Sequence, residues 1–530
     1  MTPVLPQPLA GLMKADAYPH PVGRIELVQT HVSWVLLTGS YAYKIKRPVC
    51  FPFIDLRSME RRRDLCKQEL LLNRRFAPGL YVEVCPVTLQ AGRARIGGGG
   101  EIIEHAVKMK QFAREDELYR LLDDGRIAPG ELRDFGVALG RIHAGLPVAG
   151  PGDVWGEPER TSDVLLANLR ESADALAGLH QREAVADLES EMRARLNAAR
   201  PLMSARKAAG MVRECHGDLH SSNIVRVDGH LVAFDCLEFE PSFRWIDVAE
   251  EIAFLFADLR AGGRMAHAYE FLSGYLEETG DYQACRLLPL YAAHRMLVRA
   301  KVVALAAAEA GDGAERARLS ERSIRHLQQA RLELTSRRPL LVLMSGLSGS
   351  GKTWLARQLA PRLEAVHLRS DLERKRMAGL PPQSRSGSVI GAGLYAPQVS
   401  AQVYERLASS AADILAGGLD VVVDATFLRR AERERFARLA EELAVPALLV
   451  LCEAPPAVLR ERIERREQEG VDLSEAGLDV LRWQQERIEM PDHEEGLPVI
   501  RADTTRTAIV ESVLARIQQA GGIGPLQEFL

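Results

Sequence analysis

The sequence contains few lysines: 10, against 58 arginines, in a chain of 530 residues. Lysine and arginine together number 68 against 72 acidic residues, so the net charge is −4 and the chain lacks the basic excess typical of dedicated nucleic-acid-binding proteins. Because arginines are so common here, a run of them indicates little. Each of the scarce lysines is more informative.

Cysteine pairs and long apolar runs are also missing. The seven cysteines are scattered, without a CxxC pair or the spacing of metal ligands, which predicts reduced thiols in a cytoplasmic protein. The N-terminal residues lack a basic segment followed by an apolar one, and no run of about 18 consecutive apolar residues occurs. The sequence therefore predicts neither export nor a membrane span.

The length of the chain predicts at least two domains, since one domain usually takes about 100–200 residues. Two β-rich runs, 32–37 and 41–45, are joined by Thr38-Gly-Ser40 and predict a hairpin. A helix is expected over Ser58–Phe76, and mostly helical segments continue to about residue 335. Strands followed by helices predict a two-lobed α+β domain over residues 1–335.

The pattern changes after Arg337-Arg-Pro339. Five apolar strands then alternate with helices, interrupted by a Gly-, Pro- and Ser-rich loop at 379–393. Such alternation is typical of a parallel sheet with helices on both faces, so residues 336–530 are predicted to form a second, α/β domain.

Residues 346–353, GLSGSGKT, match the phosphate-binding pattern GxxxxGK[ST] between an apolar strand and a helix. The glycines let successive backbone N–H groups point at a phosphate, and the following helix adds its positive end. Lys352 is placed for the β/γ-phosphate oxygens of ATP and Thr353 for Mg²⁺, while a Gly-rich turn without a ligand is the alternative. The predicted nucleotide-binding residues are Gly346, Ser348, Gly349, Ser350, Gly351, Lys352 and Thr353.

Three further features suggest roles in this domain. Asp424 ends a strand beside the phosphate loop, where a carboxylate can hold the metal's water shell. Asp371 ends the second strand and faces the expected acceptor hydroxyl, or it caps a helix from Leu372. Arg462 and Arg466 lie one helical turn apart, on a catalytic or merely solvated face.

Residues 340–520 resemble the small P-loop kinases related to gluconate kinase, zeta toxin and the kinase domain of polynucleotide kinase. The phosphate loop is the most specific part of this resemblance. The resemblance implies that Asp371 activates the acceptor hydroxyl, that Arg374 contacts the substrate, and that Arg462 and Arg466 are lid arginines for the migrating phosphoryl group.

A second motif precedes this domain. His216-Gly-Asp218-Leu-His-Ser-Ser-Asn223 is followed by an apolar strand that ends in Asp235, which gives the spacing HxDxxxxN and then Asp. Phosphoryl transfer needs a carboxylate near the incoming hydroxyl and oxygen ligands for Mg²⁺; Asp218 suits the first role, and Asn223 and Asp235 suit the second. A loop in which these residues only satisfy turns is the alternative.

A kinase of this design also needs a lysine on the phosphates, held by a helix glutamate. Lys44 shares a strand face with Ala42, and Glu69 lies on the next helix, so these two are predicted for the roles. Lys46 is on the same face and competes with Lys44. An exposed strand lysine is the remaining alternative.

This region resembles the aminoglycoside phosphotransferase family, and the whole chain is similar to uncharacterised bacterial proteins that fuse such a domain to a P-loop kinase. The stretches TGSYAYKIKRPV, ELLLNRRFAPGLYVEV and FDCLEFEPSFRWIDVAEEIAFL carry this likeness. The resemblance implies a protein-kinase-like N-terminal fold. No GxGxxG precedes Lys44 and no DFG or APE follows, which disfavours a protein kinase and favours a small-molecule kinase.

These features together predict a cytoplasmic, bifunctional kinase that uses ATP and Mg²⁺. Each domain is expected to transfer the γ-phosphoryl group of ATP to a hydroxyl of a small-molecule acceptor. One alternative is an ATP-sensing regulatory protein with one non-catalytic nucleotide site. Another is a nucleic-acid end kinase acting through the C-terminal domain.

Overall fold

The structure is a computed structural model that describes residues 4–51, 54–381, 396–469 and 477–520. Residues 382–393 of the predicted Gly-Pro-Ser loop lie outside this description. The chain forms two compact units that interleave along the sequence. The first unit comprises Met1–Ile127, Ile142–Asp163 and Arg200–Leu255, and the second comprises Ala128–Arg141, Val164–Ala199 and Phe256–Leu530.

The first unit contains a six-stranded antiparallel sheet with strand order β1-β2-β3-β8-β6-β7. The predicted hairpin is confirmed, with Val35 of β2 opposite Lys44 of β3. Trp34, Tyr43 and Ile45 pack into a core on this sheet. The strands, with a separate β4–β5 pair, are β1 (Glu26–Gln29), β2 (Ser33–Leu37), β3 (Tyr41–Lys46), β4 (Cys50–Phe51), β5 (Ile54–Asp55), β6 (Tyr81–Gln90), β7 (Arg93–Ile96) and β8 (Glu101–Lys110).

Helix α1 (Met59–Phe76) follows the strands β4 and β5, close to the predicted bounds. Ser58 begins it, because its side chain accepts a hydrogen bond from the backbone N–H of Arg61 at 3.2 Å. Leu65, Leu72 and Glu69 lie on the buried face. A carboxylate on a buried helix face needs a partner, and the sheet supplies it.

Two short antiparallel pairs carry the HxDxxxxN motif. Strand β9 (Val212–Glu214) pairs with β12 (Trp245–Asp247), and β10 (Ile224–Val227) pairs with β11 (His230–Ala233). The motif lies between β9 and β10, and Asp235 follows β11 by two residues. Both ends of the motif are therefore fixed by strands.

Helices make up the remainder of the region before residue 335. In the described part of the chain, none combines the length and the apolar character needed to cross a membrane. These helices are α2 (Leu118–Asp123), α3 (Pro129–Ala144), α4 (Pro158–Leu176), α5 (Arg182–Ala208), α6 (Val248–Ala261), α7 (Met265–Thr279), α8 (Leu288–Glu309) and α9 (Gly313–Leu334).

The second unit contains the predicted five-stranded parallel sheet, with strand order β14-β15-β13-β16-β17. All four strand pairings are parallel, which confirms the predicted α/β fold. Its elements are β13 (Leu341–Ser345), α10 (Lys352–Leu359), β14 (Ala365–Arg369), α11 (Ser370–Met377), α12 (Pro397–Ala416), β15 (Asp420–Asp424), α13 (Arg430–Glu442), β16 (Ala447–Glu453), α14 (Pro456–Glu469), α15 (Leu478–Gln485), β17 (Val499–Asp503) and α16 (Ile509–Ala520).

Helix α7 and the segment after it pack directly on this sheet within the second unit. Ser273 of α7 accepts a hydrogen bond from the backbone N–H of His367 in β14, at 3.2 Å. Tyr282 donates its hydroxyl to Glu373 of α11 at 3.0 Å, and both residues are buried. The predicted boundary at residue 335 falls inside this unit and stays a prediction.

We expect a fragment of residues 1–335 to melt at a lower temperature than the full chain, by roughly 5 °C or more. Cutting at 335 exposes Tyr282 and Cys285, which are 2% and 0% exposed, and removes the partner of the Tyr282 hydroxyl. Scanning calorimetry of both proteins measures the difference. Tyr282→Phe in the full chain is the control, because it removes only the hydroxyl; equal melting of fragment and full chain would contradict this expectation.

Candidate functional site

A buried cluster of charges joins β3 to α1 in the first unit. The Glu69 carboxylate lies between two ammonium groups, with Oε1 at 2.9 Å from Lys44 Nζ and Oε2 at 2.5 Å from Lys46 Nζ. Lys44 also contacts Asp235, and Lys46 contacts Glu238. Both candidate lysines thus bind the same glutamate. Of the two, Lys44 is the one that also contacts Asp235.

The charges in this cluster hold one another ionised. Burial would lower the pKa of the Lys44 ammonium, but the Asp235 and Glu69 carboxylates outweigh it and keep that pKa well above its ordinary value. Burial likewise opposes ionisation of Glu69, yet the two lysines keep the pKa of its carboxyl below the ordinary value. The cluster therefore presents a positive Lys44 at neutral pH.

The HxDxxxxN loop brings Asp218 and Asn223 together. The Asn223 side-chain amide donates to Asp218 Oδ2 at 2.9 Å and to the Asp218 carbonyl at 3.0 Å. The loop is held at its start by the buried carboxylate of Glu251 in α6, which accepts the backbone N–H groups of His216 and Gly217. Its orientation is thus set by a residue 28 positions beyond Asn223 in the sequence.

Asp235 has a strained backbone, with φ of 64°, which is uncommon for any residue other than glycine. Two side chains hold this conformation: the Tyr81 hydroxyl accepts the Asp235 N–H at 3.1 Å, and Asn73 Oδ1 accepts the N–H of Cys236 at 2.9 Å. The Asp235 side chain remains 45% exposed. Partial loss of water around its carboxyl opposes ionisation, but Lys44 keeps the pKa of that carboxyl below its ordinary value.

The structure thus brings Lys44, Glu69 and Asp235 into contact, and Asp218 and Asn223 into contact. Sequence reasoning missed Asn73, Tyr81 and Glu251. No spacing rule links these three to the motif, since they act through hydrogen bonds that only the fold creates. The catalytic and metal-binding roles of the predicted residues stay predictions.

The phosphate loop has the geometry that its glycines predict. Gly346, Gly349 and Gly351 all have positive φ, of 142°, 80° and 84°. A Cβ at Gly346 would lie 2.5 Å from the carbonyl oxygen of Cys452, and one at Gly349 would lie 2.7 Å from that of Leu459. Glycine is therefore required at both positions for the loop to fit between β13 and α10.

A cavity of about 270 Å³ opens beside this loop. Lys352 and Thr353, the first two residues of α10, line it together with Asp371 and Asp424. The three elements meet because β13, β14 and β15 are parallel neighbours whose carboxyl ends share one edge of the sheet. Four residues predicted for one site are thus brought to one cavity.

The two aspartates differ in environment. Asp424 is buried; burial opposes its ionisation, but contact with His367 and the charge of Lys352 lower the pKa of its carboxyl to about 2. Asp371 lies in the first turn of α11, which begins at Ser370 with Arg369 as its N-cap residue. The alternative of Asp371 as an N-cap is therefore wrong, because the helix starts one residue before it.

Arg462 lies on α14, as expected, but it contacts the protein and not the cavity. Its guanidinium donates to Thr504 Oγ1 at 2.9 Å and to the Gly349 carbonyl at 3.2 Å. Neither it nor Arg466 is among the described residues that line the cavity. In this structure Arg462 braces the phosphate loop, and the proposed lid role of both arginines stays a prediction.

Other cavity residues had no signal in the sequence. Gln484 of α15 accepts a hydrogen bond from the backbone N–H of Ser348 at 2.8 Å, which fixes the phosphate loop. Arg369, at the end of β14, lines the cavity two residues before Asp371. It could have been singled out as a charged strand end, had arginine not been so abundant in this chain.

The residues present fit the groups that such sites hold. At the first site, Asp235 and Asn223 are oxygen donors of the kind that Mg²⁺ prefers. At the second, the backbone N–H groups of 346–351, Lys352 and the hydroxyl of Thr353 fit a nucleotide phosphate, and the ionised Asp424 fits the cation that accompanies it.

Comparison with family models agrees with this division. Residues 104–288 match the phosphotransferase enzyme family, and residues 341–491 match the AAA domain family. Together with the fold, these matches define the class: a phosphotransferase-family domain with an antiparallel sheet, fused to a C-terminal P-loop domain. Uncharacterised proteins of Mycobacterium tuberculosis and Mycobacterium bovis are 29% identical over 446 residues, which cover 83% of this chain and 86% of each relative.

Two solved structures are similar in part. A choline/ethanolamine kinase family protein from Mesorhizobium loti is 16% identical, with 58% of this chain and 93% of that chain covered and a TM-score of 0.33. Kti12 from Chaetomium thermophilum, solved in complex with ADP-AlF3, is 18% identical, with 34% of this chain and 98% of that chain covered and a TM-score of 0.28.

Replacing Glu69 should destabilise the protein, because its two buried lysine partners lose their shared counter-charge. We expect Glu69→Ala to lower the free energy of unfolding by about 3–5 kcal/mol, because it leaves the Lys44 and Lys46 ammonium groups without a shared carboxylate. Urea unfolding followed by circular dichroism measures this. The control is Asp64→Ala, an exposed carboxylate on the same helix, for which a change within about 1 kcal/mol is expected. Equal effects of the two changes would refute the role given to Glu69.

Proposed function

We propose that the protein is a bifunctional ATP-dependent phosphotransferase. Each domain transfers the γ-phosphoryl group of ATP to a hydroxyl of a small-molecule acceptor. The observation that carries this proposal is that each unit gathers a cation and separate carboxylates from distant parts of the sequence into one site, the first around Lys44 and the second around Lys352. A cation for the nucleotide phosphates and carboxylates for the metal and the acceptor hydroxyl are the groups that phosphoryl transfer needs.

In the first site, Lys44 carries the positive charge for the nucleotide phosphates, and Glu69 holds its ammonium group. Asn223 and Asp235 would hold Mg²⁺, which supplies charge neutralisation on the phosphates when bound. Asp218 accepts the proton of the acceptor hydroxyl, and the amide of Asn223 keeps its carboxylate in place.

In the second site, the loop 346–351 and Lys352 bind the nucleotide phosphates, while Thr353 and Asp424 would hold Mg²⁺. Asp371 accepts the proton of the second acceptor from the first turn of α11. Arg462 and Arg466 act on the transferred group only if α14 moves toward the cavity, since Arg462 contacts Thr504 in this structure.

The state of the cysteines supports a proposal about the cellular compartment. Six of the seven cysteines are buried free thiols, as suits a reducing compartment, and ATP is plentiful in the cytoplasm. We propose a cytoplasmic protein whose partners are small-molecule acceptors.

Single-site variants should separate the two activities. With γ-labelled ATP and a metabolite extract, we expect Lys352→Ala to abolish the labelled products of the second site and Asp218→Asn to abolish those of the first, because each change removes a group acting in only one transition state. Chromatography of the products shows which are lost. Asp64→Asn, an exposed carboxylate, should retain both sets.

Each pattern of products has a clear meaning. Label that survives the double change Lys352→Ala and Asp218→Asn would sink the proposal. Label from only one site, with ATP still bound at the other, would favour a nucleotide-sensing protein, and label on added oligonucleotide ends would favour a nucleic-acid end kinase.

Binding and chemistry should also separate at the first site. In a Lys352→Ala background, we expect Asp235→Ala to weaken MgATP binding, because the cation loses a carboxylate ligand, whereas Asp218→Asn should bind MgATP nearly as well as its parent. Calorimetric titration of the full chain measures both. If Asp218→Asn weakens binding as much as Asp235→Ala does, Asp218 is not a base acting on the acceptor.

A further inference from the structure

Lys46 and Glu238 form a buried ion pair that has no part in the phosphoryl transfer proposed above. The Lys46 ammonium contacts both Glu238 and Glu69. Burying a pair of charges is costly, and Glu69 already has a counter-charge in Lys44. The second buried pair therefore needs a physical reason of its own.

This pair is one of two neighbouring contacts between β3 and residues 235–238, which we call the Asp235 segment. Lys44 and Lys46 are two residues apart on β3 and share one face of the strand. On the Asp235 segment, Asp235 and Glu238 are three residues apart, and each contacts one of the lysines. A single contact would let the segment pivot about it, whereas two contacts fix both its distance from β3 and its orientation.

The two contacts differ in exposure. The side chains of Lys44 and Asp235 are 11% and 45% exposed, so their contact is open to a ligand. Those of Lys46 and Glu238 are 1% and 5% exposed, so their contact is closed to one. In the proposed reaction Lys44 binds the nucleotide phosphates and Asp235 binds Mg²⁺, so these two exchange each other for the ligand. The buried contact persists through this exchange.

Further contacts hold the Asp235 segment, but to other elements. Asn73 of α1 accepts the backbone N–H of Cys236 at 2.9 Å, and the carbonyl of His216 in the HxDxxxxN loop accepts that of Leu237 at 3.1 Å. Neither contact involves β3. Of the described ion pairs between the segment and β3, the buried one is therefore left once a nucleotide and a metal separate the other.

We propose that Lys46 and Glu238 are positioning residues for the nucleotide site of the first unit. They keep Asp235 at the distance and orientation from Lys44 at which one MgATP contacts both. This inference rests on the proposed function of that site. It gives the two lysines of β3 separate tasks, and the buried Glu69 joins them by accepting one ammonium group on each of its oxygens.

The first test compares nucleotide binding with and without Mg²⁺, in a Lys352→Ala background that removes the phosphate-loop lysine of the second site. Calorimetric titration of the full chain with a nonhydrolysable ATP analogue gives Kd in Mg²⁺ and in EDTA. We expect the double change Lys46→Met and Glu238→Met to reduce the gain in affinity from Mg²⁺ about tenfold, because Asp235 is no longer aimed at the metal. Kd in EDTA should change by less than about threefold, since Lys44 is retained.

The choice of variants keeps the protein folded. Replacing both members of a buried ion pair by apolar side chains of similar length leaves no unpaired charge between them, so we expect the double variant to fold. Glu238→Gln keeps the size of the side chain and should reduce the gain from Mg²⁺ about threefold, which provides a second reading if the double variant does not fold. Lys67→Met, at an exposed lysine of α1, is the matched control and should leave both constants unchanged.

Thiol labelling reads the Asp235 segment without any nucleotide. Cys236 follows Asp235 in the sequence and is fully buried. In the double variant we expect its alkylation by iodoacetamide, measured by peptide mass spectrometry, to be about tenfold faster, because the segment pivots away from β3. Cys285 of the second unit is also fully buried, and it should react at the rate of the parent, which excludes global unfolding.

The outcomes separate this inference from the proposed function. A parent that gains no affinity from Mg²⁺ would count against the proposed function, and the labelling of Cys236 would still test the position of the segment. A double variant with the parent's gain in affinity, or with the parent's labelling rate at Cys236, would overturn the positioning role. Lower stability with both readings unchanged would show that the pair only stabilises the fold.

Discussion

The cost of burying charge shapes both sites of this protein. In the first site Glu69 is fully buried, and two lysines on one strand are drawn to it, so the position of α1 against the sheet and the position of Lys44 are set by the same contact. In the second site the buried Arg369 lies opposite the buried Asp424 on the neighbouring strand.

The two sites reach their geometry by different routes. The first depends on an antiparallel sheet, a helix and a motif loop, tied by hydrogen bonds that Asn73, Tyr81 and Glu251 accept from backbone N–H groups. The second depends on parallel strands, whose carboxyl ends meet at one edge and bring Lys352, Asp371 and Asp424 to one cavity.

Because the two units interleave along the sequence, part of the helical region before residue 335 belongs to the unit that contains the P-loop sheet. Segment 256–334 follows the kinase-like motif in sequence but packs with the P-loop sheet, where Tyr282 binds Glu373 on the helix that carries Asp371. The position of α11, and of the proposed base on it, therefore depends on residues far outside 336–530. The structural division of the chain and its division by sequence pattern differ for this reason.

The sequence by itself determined the motifs and the periodicities. GLSGSGKT requires left-handed glycines, five apolar strands spaced by helices require a parallel sheet, and HxDxxxxN places Asp218 beside Asn223 through local geometry. Tertiary structure alone decided that Lys44 contacts Asp235, that Arg462 braces the phosphate loop, and that Arg369 is buried at the cavity. These outcomes depend on contacts between residues far apart in the chain, and short-range patterns carry no information about which distant side chain will meet a buried charge.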